Sequence, residues 1–269
     1  MLLNGLPASE ISLQDRGLAY GDGLFETILV SRRTPILLER HYTRLRRGCE
    51  RLGLDLDLKV LVDEVAHLLS SAPLSDAVLK IVVTRQAQGR GYRPLTRECN
   101  RILTLHPLPD YRSQNPELGI AMFVCQQRLG RQPALAGIKH LNRLEQVLAA
   151  QEWPAESFLE GLMLDTEGFV IEGTRTNLFM AKAGTLYTPE LNLCGVEGVL
   201  RAALIDHFGT AKVTPIRLDS LDSADELFIA NSVNGVWPVT QLRHGDRVRT
   251  LPVGQWALAA QSFFKSLLP

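Results

Sequence analysis

The chain has no surplus of charge of either sign, and that lack alone removes whole classes of function. Its 29 acidic residues offset 29 basic ones, so it lacks the concentrated positive charge that nucleic acid or an anionic membrane surface demands. The one local excess, ERHYTRLRRGCERL over residues 39–52, is interrupted by Glu39 and Glu50 and reads as the solvated face of a helix. Cysteine is sparse too. Cys49, Cys99, Cys125 and Cys194 stand in separate segments without C-x-x-C spacing, which argues against a metal site or a disulfide framework and for reduced, buried thiols. No apolar run approaches membrane-spanning length, and the opening MLLNGLPASEISLQDRG has no basic stretch and a broken apolar pattern. A soluble, cytoplasmic protein is expected, with no metal, nucleic-acid or membrane partner.

What is present is an alternation of strand-like and helix-like patterns. GLFETILVS (23–31), AVLKIVVTR (77–85) and RILTLH (101–106) have the β-branched content of strands. Between the first two, Leu38, Tyr42, Leu45, Cys49 and Leu52 recur at spacings of 4, 3, 4 and 3, one stripe on a helix. A second helix is predicted through VLVDEVAHLLSS. The proline-rich HPLPDYRSQNPELG predicts a linker at 108–117 between an N-terminal lobe, 1–107, and a C-terminal lobe, 118–269. Beyond it, strands are predicted at IAMFVC, GLMLDT, FVIEGT, NLFMAKAGTLYTP and ELFIANS, and helices from near Lys139, from near Gly198 and in GQWALAAQSFFKSLL. The expected fold is mixed α/β in two lobes, with a ligand site between lobes as the ordinary arrangement.

Five stretches carry residues with chemical capacity. AGIKHLNRLEQV (136–147) places Lys139 at a predicted strand-to-helix junction, beside a face marked by Leu141, Leu144 and Leu148. Only six of the 29 basic residues are lysines, and lysine does what arginine does not: its amine can lose its proton and form a Schiff base. The alternative is a lysine that caps a turn and extends to solvent. FVIEGTRTNLF (169–179) ends a strand on Glu172, which is either a turn acceptor or the partner of a buried cation such as a pyridinium nitrogen. CGVEGVLRAALIDHF (194–208) opens a helix after two glycines, so the first amides, on Val199 and Leu200, form an anion cradle; many such helices bind nothing. Ser232 in FIANSVNGVWP and Arg44 on the flank of the first helix could complete a phosphate site. YGDGLFET (20–27) turns tightly into a strand on which Glu26 and Thr27 face opposite sides, so that one of them can enter a pocket. GRGYRP (89–94) presents Arg90 and Tyr92 from a glycine-bracketed loop, either a carboxylate grip or a solvated surface.

In this order along the chain, from DRGLAYGDGLFET to NGVWPV, the stretches resemble the fold-type IV pyridoxal-phosphate enzymes, a family that spans aminotransferases and aminodeoxychorismate lyases. RLGRQPALAGIKHLNRLEQVL and GRGY resemble the lyase branch in particular. The resemblance implies a smaller N-terminal lobe, a larger C-terminal lobe and pyridoxal 5'-phosphate between them. It implies that Lys139 bonds the cofactor, that Glu172 faces the pyridine nitrogen, and that Arg44, the amides of Val199 and Leu200, and Ser232 surround the phosphate. Thr27 takes a lyase-specific proton-handling role, so the catalytic set is Lys139, Thr27 and Glu172, while Arg90 and Tyr92 grip a substrate carboxylate. The implied reaction turns 4-amino-4-deoxychorismate, its amine carried on the cofactor, into 4-aminobenzoate and pyruvate for folate biosynthesis, in a homodimer. An aminotransferase of D-amino acid or branched-chain type is the alternative. Phe25 and Leu144 weigh against it, since those relatives carry tyrosines at or near these positions.

Overall fold

The computed structural model describes residues 1–71, 74–88, 90–110, 115–153 and 157–269. The chain divides into two compact units. The first is Met1–Pro109 together with Ile138–Asn142 and Pro269; the second is Asp110–Gly137 with Arg143–Leu268. The five residues around Lys139 therefore belong to the first unit although both of their flanks belong to the second. Part of the predicted linker, 111–114, lies outside the described residues.

In chain order the first unit holds β1 (Leu2–Leu3), β2 (Leu6–Pro7), α1 (Arg16–Tyr20), β3 (Gly23–Ser31), β4 (Thr34–Pro35), α2 (Leu38–Leu52), α3 (Leu58–Ser71), β5 (Ala77–Arg85) and β6 (Cys99–His106). Its sheet runs β2-β1-β6-β5-β3-β4, antiparallel throughout. Each longer element coincides with a predicted pattern: β3 and β5 follow apolar, β-branched runs, and the 3.6-residue period along α2 puts apolar groups on one side. Leu24, Ile28, Leu45, Leu61, Leu79 and Leu103 form a core sealed from solvent. α2 lies so close on β3 that a Cβ at Gly48 would come within 2.8 Å of Leu24 Cδ1, so this helix position favours glycine. The buried face of α2 is wider than the predicted stripe: Tyr42, Leu45 and Cys49 are joined there by His41, Arg44 and Gly48.

α1 has only five residues, too few for periodicity to reveal. Its start is specified by Asp15, whose side chain accepts from the Leu18 N–H at 3.1 Å, Thr84 Oγ1 at 2.6 Å and Asn100 Nδ2 at 3.0 Å. One carboxylate thus caps the helix and ties it to β5 and β6.

The second unit holds β7 (Ile120–Leu129), α4 (Leu144–Gln151), β8 (Phe158–Asp165), β9 (Phe169–Gly173), β10 (Asn177–Lys182), β11 (Thr185–Pro189), α5 (Val199–Phe208), β12 (Lys212–Thr214), β13 (Ile216–Arg217), β14 (Glu226–Asn231), β15 (Gly235–His244), β16 (Arg247–Thr250) and α6 (Gln255–Ser266). The sheet order is β12-β11-β10-β14-β15-β7-β8-β9-β13, with β16 paired to β15. β7 runs parallel to both β8 and β15, and the hairpins around them are antiparallel. One core cluster includes Met122, Leu162, Leu178, Leu227 and Val239; a second includes Phe123, Met163, Ile171 and Cys194. All four cysteines are buried. No helix among the described residues is long and apolar enough to cross a membrane.

One predicted element is corrected. No helix starts at Lys139; α4 begins at Leu144, and residues 139–141 are extended along β3. The Phe25 N–H donates to the Lys139 carbonyl at 2.9 Å, and the Leu141 N–H donates to the Gly23 carbonyl at 3.0 Å. Among the described residues the first half of β3 has no partner strand on that edge, so these bonds satisfy main-chain groups that helix formation would leave unpaired, and local propensity yields. The expected apolar face also dissolves: Leu144 is 75% exposed and Leu148 48% exposed.

Candidate active site

Lys139 is held by its backbone rather than by a helix. Its own carbonyl and the Leu141 N–H, which flank His140, bond to β3, and its Nζ stands 4.4 Å from the centroid of the Phe25 ring. Lys80, which pairs with Thr27 in the β3–β5 register, brings a second ammonium to 5.8 Å from the same ring. The pleat of β3 places Thr27 on the Phe25 side of the strand and Glu26 on the opposite side. Phe25 and Thr27 are half-buried, whereas Glu26 is 1% exposed. An amine over an aromatic face with a hydroxyl residue two positions along the strand is a site for nucleophilic and proton-transfer chemistry.

Behind that face lies a charged cluster. Arg44 Nε donates to Glu26 Oε1 at 2.8 Å and Arg44 Nη2 donates to Glu26 Oε2, a fork geometry. His41 Nδ1 lies 2.6 Å from the same Oε2. Burial pushes the Glu26 carboxyl up, but the Arg44 charge and the hydrogen bonds from His41 and Arg44 outweigh it and hold its pKa at about 2. An ionised carboxylate only accepts, so His41 Nδ1 carries the proton in this bond. Burial, the largest influence, lowers the His41 pKa; Glu26 opposes this, and the charges of Arg44 and Lys139 add to it. His41 Nε2 is buried and has no hydrogen-bond partner among the described residues. Arg44 lies within the buried face of α2, where it makes the fork bond with Glu26. The available signal was the i, i+3 pair His41 and Arg44 on one helix face opposite a strand carboxylate.

Arg90 and Tyr92 lie on the exposed loop after β5, Tyr92 at 86%; Gly89 lies outside the described residues. The loop is anchored, not loose. Arg16 Nη1 donates to the Gly91 carbonyl at 2.8 Å and Nη2 to the Tyr92 carbonyl at 2.9 Å, while its Nε bonds Asp22 at 2.9 Å. Tyr92 also packs edge-on against Tyr20 at 5.5 Å.

In the second unit Glu172 lies near the end of β9 and is buried. Its Oε2 accepts from the Val196 N–H at 2.9 Å and from Asn177 Nδ2 at 3.5 Å. Asn177 in turn donates to the Val196 carbonyl at 2.9 Å. A Cβ at Gly198 would fall 2.0 Å from Asn177 Oδ1, so any other residue at the start of α5 would displace the Asn177 side chain. Gly198 also brings no side-chain cap, which leaves the first-turn amides of Val199 and Leu200 to whatever lies beyond the helix end. One buried asparagine, absent from the sequence expectations, therefore locks Glu172 to the turn that delivers the helix terminus. Ser232 follows β14 in a turn where Asn231 Oδ1 accepts from the Val233 and Asn234 N–H groups at 3.0 and 2.7 Å.

These features fit pyridoxal 5'-phosphate one by one: a half-buried lysine, a buried carboxylate hydrogen-bonded by amides, and a helix start without a side-chain cap at a glycine that touches the Asn177 side chain. The comparisons with known proteins agree. The family model for amino-transferase class IV matches residues 23–242. The aminodeoxychorismate lyase of Vibrio harveyi is 34% identical over 262 residues, covering 94% of this chain and 95% of that one. The crystal structure of 4-amino-4-deoxychorismate lyase from Pseudomonas aeruginosa is 43% identical, with a TM-score of 0.92 and 98% of each chain covered. The branched-chain aminotransferase from the thermophilic archaeon Thermoproteus uzoniensis, solved with norvaline, shares the fold at 22% identity, with a TM-score of 0.85, 98% of this chain and 92% of that one covered. With the matched model spanning most of its length, the chain belongs to the class IV amino-transferase family.

Proposed function

We propose that the protein is a pyridoxal-phosphate-dependent aminodeoxychorismate lyase, splitting 4-amino-4-deoxychorismate into 4-aminobenzoate and pyruvate. The observation that carries this reading is Lys139, an amine fixed by main-chain bonds over Phe25 in a chain that aligns end to end with lyases. Bound pyridoxal phosphate would supply an electron sink for charge that develops beside the substrate amine. The chain's own residues do the rest.

From the first unit, Lys139 Nζ would hold the cofactor aldehyde and is the base for the proton on the ring carbon that bears the amine. Loss of that proton and of the enolpyruvyl ether leaves an aromatic ring, so no oxidant or water is consumed. The Thr27 hydroxyl, or Lys139 itself, returns the proton to the departing enolpyruvate. Arg44 holds phosphate, and Arg90 and Tyr92 hold a substrate carboxylate. From the second unit, Glu172 keeps the proton on the ring nitrogen, and the Val199 and Leu200 amides with Ser232 hold phosphate. Purified protein mixed with aminodeoxychorismate and no keto-acid acceptor should release pyruvate and fluorescent aminobenzoate in equal amounts. Turnover only when a keto acid is added would instead make it an aminotransferase.

A further inference from the structure

Glu26 and His41 do no chemistry in the reaction as read, yet among the described residues of the first unit they are the two most deeply buried titratable side chains. His41 is fully buried and Glu26 is 1% exposed. A buried carboxylate, a guanidinium in fork contact and an imidazole at 2.6 Å are a costly arrangement unless they hold something in place. What they hold is a long side chain. The fork bond sets both the rotamer and the plane of the Arg44 guanidinium, and His41, rigid in α2 and donating through Nδ1, sets the carboxylate.

We propose that Glu26, oriented by His41, is the positioning residue that presets Arg44 to receive the cofactor phosphate. The inference rests on the reading of Arg44 as a phosphate ligand. Two effects of Glu26 oppose each other, which makes the idea testable by sign. As a bare negative charge, Glu26 repels a phosphate dianion, so its removal strengthens phosphate binding. As a positioning group it spares Arg44 the ordering cost on binding, so its removal weakens phosphate binding.

The test titrates the cofactor-free full chain with pyridoxal 5'-phosphate and, separately, with pyridoxal, following absorbance of the bound aldehyde. The ratio of the two dissociation constants isolates the phosphate, because bonding to Lys139 is common to both. Glu26→Gln should cut the preference for the phosphorylated form roughly 10-fold, the scale typical of residues that orient a binding group. Glu26→Asp, which keeps the charge and shortens the reach, should lower it too. His41→Ala should lower it less, and His41→Asn, which retains a donor, should restore most of it. Arg44→Ala calibrates the scale. If Arg44→Ala leaves the preference intact, the phosphate reading fails; if it lowers the preference while both Glu26 variants leave it unchanged or raise it, the positioning role alone is overturned.

Discussion

Two buried carboxylates, one in each unit, are supported in opposite ways. Glu26 is forked by a guanidinium and bonded by an imidazole, so its charge is balanced inside its own unit and its pKa falls to about 2. Glu172 Oε2 accepts from two neutral donors, the Val196 N–H and the Asn177 amide, and the Arg201 charge also acts on this carboxylate. Each carboxylate closes a strand-to-helix relationship, β3 to α2 in the first case and β9 to the start of α5 in the second. The difference teaches what each is for. A carboxylate in fork contact with arginine is a fixture that aligns its partner, whereas one hydrogen-bonded by amides is set in a fixed direction, as a partner for a cationic ring nitrogen must be.

Substitutions can break or sharpen that division, beginning with the amine itself. Lys139→Ala should lower turnover by about 10⁴-fold, the upper range for a positioned base, and abolish borohydride-trapped cofactor. A trapped adduct on another lysine, found by peptide mapping, would move the site. Glu26→Ala leaves the Arg44 cation buried without its carboxylate and should cost about 3–5 kcal/mol in folding free energy, measured by urea unfolding. A loss below about 1 kcal/mol, the scale of an exposed ion pair, would show that the cluster is not a fixture. Glu172→Ala should behave in the reverse sense, with turnover down roughly 10²–10³-fold while cofactor affinity and stability change little. If its main effect is on unfolding, the contrast collapses. Thr27→Ala should slow release of pyruvate by about 10²-fold at most, with spectra of cofactor–substrate adduct formation unchanged in stopped flow.

The smallest effect is on pH dependence. His41 titrates lower in the folded protein than its ordinary 6.5, so the unfolded chain takes up that proton first and stability falls as pH drops below about 6.5. Glu26 is depressed from 4.5 to about 2. Its contribution is complete above 4.5 and is lost as pH falls towards 2. His41→Gln should flatten the upper part of the curve and Glu26→Gln the lower part, as urea midpoints from about pH 7 to about pH 3 would show. A Glu26→Gln curve as steep as that of the parent below pH 4.5 would contradict the assignment of that carboxyl.

Much of the fold is legible along the chain where an element is long enough to repeat its pattern. β3 and β5 span 9 residues each and show as apolar, β-branched runs, while α2 spans 15 and its helical period coincides with its buried side. The two-residue strands β1, β2, β4 and β13 carry no period to read; they exist because a neighbouring edge is there to pair with. The stretch after Gly137 shows the limit most sharply. Its leucines at helical spacing predict a helix through Lys139, yet the edge of β3 claims residues 139–141 and leaves Leu144 and Leu148 in solvent. Of the site, the residue types with chemical capacity can be named from the chain. The support of Glu172 by Asn177 cannot, because a lone buried asparagine has no pattern, and the spacing of His41 and Arg44 does not say which carboxylate they meet.

By itself, then, the chain determined the elements and the inventory: where apolar periodicity makes strand or helix, and which scarce side chains can act as nucleophile, acid or anion ligand. Only the tertiary structure decided the pairings. Glu26 meets an arginine 18 residues away, and Lys139 joins a strand that ends at Ser31, far earlier in the chain. The physical reason is that a buried charge or an unpaired main-chain group is so costly that its partner is chosen by proximity in space. Nothing local along the chain encodes that proximity.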